Sequence, residues 1–236
     1  MIGPSRMSLA TFGVGLATAT QVVTFGGPRE RFWTRITMSS LALGGYALAT
    51  SRSARGTRIG RREIALGLAC AVGMAASSRA GERLLRRVVP TAQRDLREIS
   101  QLRRSEPAPI VGARLLLVVA PAEELFWRGL VVEALIGRYG RLAGAILGAA
   151  AYGGAHLATG NATLVAAAVA AGGAWSLLRA LGLPMGALVV CHGAWDVWVF
   201  LVGPRLSRDH QQAGDGPDPV RTRRVPVVPV AASAGT

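Results

Sequence analysis

The stretch Pro121-Ala-Glu-Glu-Leu-Phe-Trp-Arg-Gly129 decides how the rest of the chain is read. It puts two adjacent carboxylates and a guanidinium inside an apolar run over residues 110–136. On a helix, Glu124 and Arg128 stand four residues apart and share a face, where they can pair. Glu123 is turned by about 100° from Glu124, so the same arginine cannot hold it in the same way. One carboxylate is thereby neutralised and the other is left over. In a bilayer, each ionisable group near a helix centre costs about 2.5–3.5 kcal/mol on insertion scales, and such a group is by default a functional hypothesis.

The composition places this run in a membrane. Of 236 residues, 50% are hydrophobic and only 17% are charged, and the mean hydropathy is +0.35. That balance is too apolar for an ordinary soluble domain and suits membrane helices joined by charged loops. The 30 glycines, with abundant alanine, let such helices approach closely. Seven apolar runs are expected to span, over residues 8–26, 36–50, 64–78, 110–136, 142–158, 162–183 and 185–203. The expected fold is all-α, a polytopic membrane bundle of seven helices (six to eight) with a polar site in its core. Residues 79–107 hold eight arginines and four acids around Leu84, Leu85, Val88, Val89 and Leu96. They read either as an amphipathic helix on the membrane surface or as a solvated loop with a helical stretch.

The net charge of +14 arises from arginine alone, with no lysine in the chain. So basic a chain first suggests nucleic acid. The arginines, however, fall between apolar runs, and no basic face with interleaved aromatics appears. Anionic lipid headgroups are the expected partner, and no nucleic acid. Cys70 and Cys191 lie in apolar runs without metal-ligand spacing and read as small buried residues.

The later spans supply partners for the glutamates. Tyr152 and His156 stand one turn apart in the fifth span, and His192 and Asp196 share a face in the seventh. Each has a bland reading: a histidine bonded to a neighbouring helix, a Glu–Arg staple, a His–Asp pair satisfying itself. Together they put nearly every buried ionisable group of the last four spans into i,i+4 pairs on three helices, which favours one shared polar site.

These motifs, EExxxR, YxxxH and HxxxD, resemble those of the CAAX-processing and bacteriocin-processing (CPBP/Abi) intramembrane proteases, the CAAX prenyl protease 2-like family, whose pattern is EExxxR, FxxxH and HxxxN. The resemblance divides the chain into N-terminal transmembrane helices with basic loops (1–107), a catalytic core (108–203) and a basic, Pro-rich tail expected to be disordered (204–236). It implies an intramembrane endopeptidase in which Glu123 activates water with help from His156, while His192 and Asp196 sit where the family stabilises the oxyanion. Glu124, Arg128 and Tyr152 would support them. Asp196 departs from the usual asparagine: an ionised aspartate repels an oxyanion, so it must act protonated or by orienting His192. No cofactor is required by the motifs; a zinc ion held by Glu123, His156 and His192 is the metal-dependent alternative.

The resemblance further implies a multi-pass protein of the cell membrane, the inner membrane of a bacterium, acting on a membrane protein, a CAAX-like segment or a bacteriocin-type peptide. Two other classes compete: a proteolytically inactive scaffold or bacteriocin-immunity protein, and a proton-coupled transporter using Glu123 and His156 as a relay. No inverted repeat supports the transporter.

Overall fold

The computed structural model describes residues 5–202, so the tail expected over 204–236 lies outside the described residues. Secondary structure among them is helical throughout, with no strand. The order is α1 (Arg6–Gly26), α2 (Phe32–Thr50), the single turn α3 (Arg52–Arg55), α4 (Arg61–Val88) and α5 (Ala92–Arg103). A continuous rod, α6, follows over residues 108–139, then α7 (Arg141–His156), α8 (Ala162–Ala180) and α9 (Met185–Val197). Among the described residues, five helices are long and apolar enough to cross a membrane: α1, α4, α7 with its terminal turn, α8 and α9 with its continuation to Val202. The remaining two expected spans are helical as well, as α2 and α6. The chain is a polytopic helical membrane protein.

Two elements differ from their sequence expectation. The third span extends far beyond residue 78, because α4 runs on to Val88. Glu82 and Arg86 pair across one turn there, and the helix stops only where Pro90 forces Val89 into an extended conformation. The basic segment then forms α5, which is docked onto the bundle. Trp33 donates its indole N–H to the Leu102 carbonyl at 2.9 Å. Asp95, buried on α5, accepts from the Thr91 hydroxyl at 2.9 Å and from the Thr163 backbone N–H in the first turn of α8 at 3.0 Å. Burial pushes the Asp95 carboxyl up, but these donors outweigh it and hold the group below the usual carboxylate range.

The rod α6 carries the opening motif between two π-helical segments, Leu115–Val119 and Trp127–Val132. Pro121 explains the first, since it has no N–H for the Leu117 carbonyl and its ring crowds that carbonyl. The wider π turn relieves the clash. In the second, the Gly129 carbonyl accepts from the Ser51 hydroxyl at 2.5 Å, which draws it out of the regular ladder. π segments of this kind gather at functional sites, and here they bracket Glu123 and Glu124.

Around the rod, α7 and α8 pack along each other, α9 lies between α4 and α6, and α1 and α2 cover the other side. Phe126, Trp127 and Tyr152 centre one buried cluster, and Trp175, Leu188 and Cys191 another. Cys191 is buried, Cys70 is half-buried, and both are free thiols.

Candidate active site

Six buried ionisable side chains converge from three helices: Glu123, Glu124 and Arg128 on α6, His156 on α7, and His192 with Asp196 on α9. Arg128 is fully buried and donates through Nη1 to Oε1 of Glu124 at 2.9 Å and through Nη2 to the Gly172 carbonyl at 3.1 Å. Its guanidinium also lies against the Tyr152 and Trp175 rings, 4.8 and 5.1 Å from their centroids. A buried ion pair recovers its desolvation cost only when the surrounding groups satisfy it. Here a carboxylate, a carbonyl and two ring faces do so in part, while Nε of Arg128 and Oε2 of Glu124 are buried without a hydrogen-bond partner.

Glu124 carries a second bond. His192 Nδ1 donates to the same Oε1 at 2.8 Å, and its Nε2 lies 3.4 Å from Oδ2 of Asp196. Trp175 stacks on the imidazole, with centroids 4.0 Å apart and planes at 25°. The ring is therefore fixed by its two edges and one face.

Glu123 sits in different company. Its Oε2 accepts from the Tyr152 hydroxyl at 2.8 Å, and its other oxygen bonds to no protein group among the described residues. Tyr152 also joins the glutamate to the second histidine, because its backbone carbonyl lies 2.8 Å from His156 Nδ1. A carbonyl can only accept, so that nitrogen carries the hydrogen and Nε2 carries the lone pair. The His156 Nε2 lies 3.5 Å from Nε2 of Gln21 on α1.

Two small-residue contacts set these positions. A Cβ on Gly172 of α8 would stand 2.5 Å from Cδ1 of Tyr152, so only glycine lets the tyrosine ring lie flat against that helix. A Cβ on Gly67 would meet the Ala187 carbonyl at 2.6 Å, which lets α9 approach α4 closely.

All seven residues singled out in the sequence thus gather in one cluster, with a finer division than their spacing suggests. His192 bonds to Glu124 and Asp196, whereas Glu123 bonds to Tyr152. Glu124 therefore ties His192 to Arg128 in addition to pairing with the arginine. Sequence reasoning passes over Gln21, Trp175 and Gly172. For Trp175 the available signal is one large ring in a helix otherwise built mainly of Ala, Gly and Leu.

The donor set does not form a metal site in this arrangement. Both nitrogens of His192 face carboxylates, Nδ1 of His156 is tied to a carbonyl, and one oxygen of Glu123 is tied to a phenol. Among the described residues, no three His, Cys, Asp or Glu side chains are grouped to hold an ion.

Residues 105–198 match the family described as Type II CAAX prenyl endopeptidase Rce1-like. The matched segment contains every motif residue from Glu123 to Asp196 and excludes α1 to α5. No curated protein and no solved structure matches the chain.

Proposed function

We propose that this membrane-embedded chain, Rce1-like over residues 105–198, is an intramembrane endopeptidase that hydrolyses a peptide bond with water activated by Glu123. The observation that carries this reading is the separation of the two glutamates. Glu124 holds both Arg128 and His192 on its Oε1, whereas Glu123 is bonded by Tyr152 alone and lies close enough to His156 to act on its charge.

In the proposed reaction, water donates one hydrogen bond to the free oxygen of Glu123 and another to Nε2 of His156. As its oxygen attacks the scissile carbonyl carbon, the proton passes to Glu123. His192 and Asp196 stabilise the oxygen that becomes negative. Nδ1–H of His192 is committed to Glu124, so the second proton of this group lies between Nε2 and Asp196. With that proton on Asp196, the carboxyl presents an O–H to the oxyanion where the usual asparagine would present an N–H. Collapse of the tetrahedral species breaks the C–N bond, and Glu123 returns its proton to the leaving amine. Burial of the cluster lets these few dipoles act without competing solvent.

The substrate we infer is a segment of a membrane protein or a membrane-bound peptide, a CAAX-like terminus included, with the enzyme a multi-pass protein of the cell membrane. Anionic lipids are its proposed surface partners through the arginine-rich loops. Glu123→Gln, close to isosteric, tests the assignment in reconstituted vesicles with fluorogenic membrane-anchored peptides, prenylated and unprenylated. Cleavage falls by about 10²–10⁴-fold, the usual worth of a general base. Unchanged cleavage removes Glu123 as the base, and a wild-type protein that cleaves nothing favours the scaffold alternative.

A further inference from the structure

α1 lies outside the segment that matches the protease family, yet it reaches the site. Its inner face is a stripe of small residues, Ala10, Gly13, Ala17 and Thr24, all buried. Ala17 packs in the cluster that holds Phe126 and Tyr152, and a Cβ on Gly13 would stand 2.9 Å from the Phe126 ring. The steps along this stripe are three and four residues, and the place between Ala17 and Thr24 falls on Gln21. A long amide there breaks the pattern that lets α1 pack so closely. An amide inside a membrane helix also needs a partner, because lipid offers none. Its partner is His156, whose Nε2 lies 3.5 Å from the Gln21 Nε2.

The chemistry of this contact has one direction. His156 Nδ1 donates to the Tyr152 carbonyl, so Nε2 is the acceptor and the Gln21 amide N–H is the donor. The bond is at the long end for such groups and therefore readily exchanged.

We propose that Gln21 is a positioning residue of the active site, supplied by α1. In the resting site its amide N–H occupies the one Nε2 lone pair of His156, which favours the Nδ1–H tautomer and fixes the ring plane, and the attacking water displaces it there. The inference rests on the endopeptidase reading for its kinetic consequence but not for the contact itself. It also explains why a catalytic segment confined to α6–α9 carries α1 against its face: without α1, one edge of His156 is unheld. Gln21 does not touch the reacting atoms and acts through His156.

The test uses the full chain in lipid nanodiscs with 15N-labelled histidine, comparing wild type with Gln21→Met, which keeps length and packing but cannot donate. His156 is assigned by the resonance that vanishes in His156→Asn. In Gln21→Met, the His156 Nε2 resonance moves toward that of an unbonded imidazole nitrogen, and kcat falls by about 10–100-fold, the scale of a mispositioned catalytic group, with KM within about twofold. Gln21→Leu, which also lacks any donor, gives the same loss and serves if the methionine variant does not fold. An unmoved Nε2 resonance overturns the contact. Wild-type kcat in both variants overturns the positioning role. If wild type cleaves no peptide, the endopeptidase reading fails, and the nitrogen resonance still decides the contact.

Discussion

Glu82 and Arg86 on α4, and Glu124 and Arg128 on α6, have the same spacing and almost the same contact, 2.7 and 2.9 Å. Their surroundings are opposite. The α4 pair is 44% and 48% exposed, while both members of the α6 pair are wholly buried. Water screens the first and competes for its donors, so it adds little beyond helix support. The second has lost its hydration, and His192, Gly172 and two aromatic faces replace only part of it, with Nε of Arg128 and Oε2 of Glu124 left unbonded. A Glu-x-x-x-Arg spacing therefore says only that two side chains can meet. The helices brought against them decide whether they form a staple or a site.

Breaking each pair from the arginine side measures that difference. Arg128→Met leaves Glu124 buried with only His192 to compensate it. The expected loss is about 3–5 kcal/mol, the cost of stranding one member of a buried pair. Arg86→Met leaves Glu82 facing solvent and is worth about 0–1 kcal/mol. Unfolding midpoints in mixed micelles read both, and equal losses would show that burial does not separate the two pairs.

Glycine sharpens the contrast with a change of sign. Gly172 backs the site, and its Cβ would stand 2.5 Å from the Tyr152 ring. Gly172→Ala pushes that ring and the hydroxyl it offers to Glu123, with a loss of about 1–3 kcal/mol from overpacking and a fall in peptidase activity. Gly81, beside the exposed pair on α4, has nothing within 4 Å of its Cβ position. Gly81→Ala gains up to about 1 kcal/mol of helix propensity and leaves activity alone. The same micelle titration, with initial rates alongside, checks both signs.

How much of this was legible in the sequence follows the range of the interactions. The helical elements answer to apolar runs and their breakers, both local, so all seven expected spans coincide with helices. The end of α4 at Pro90 is equally local, but the run through 79–88 reads as ambiguous because charge density there masks a continuous helix. The motif residues are legible because ionisable groups stand out in lipid-facing helices. Their division of labour is not: which carboxylate His192 bonds depends on the depth and rotation of α9 against α6, which no spacing within one helix encodes. Trp175, Gly172 and Gln21 go unread for a related reason. An aromatic, a glycine and an amide are ordinary in a span, and each gains meaning only from the helix it touches. Pro121 gives the π turn ahead of Glu123 a local cause, whereas Ser51, which draws out the Gly129 carbonyl, lies 78 residues away.

Asp95 supplies a third case between the two pairs: a buried carboxylate held by neutral donors, outside the spanning helices. Its folded-state pKa lies below the ordinary value, so the folded protein favours the ionised form. The stability it contributes is complete above the unfolded pKa of about 4 and is lost as the pH falls through the lower folded value. Asp95→Ala therefore costs about 1 kcal/mol at neutral pH, the usual worth of a helix cap, because the Thr163 N–H at the start of α8 loses its acceptor. The gap between variant and wild type should close as the pH is lowered below about 4, where the wild-type carboxyl takes up its proton. Unfolding midpoints from pH 7 to pH 3 follow that convergence. A gap independent of pH would mean that Asp95 acts by packing alone, and that the docking of α5 on α8 owes nothing to its charge.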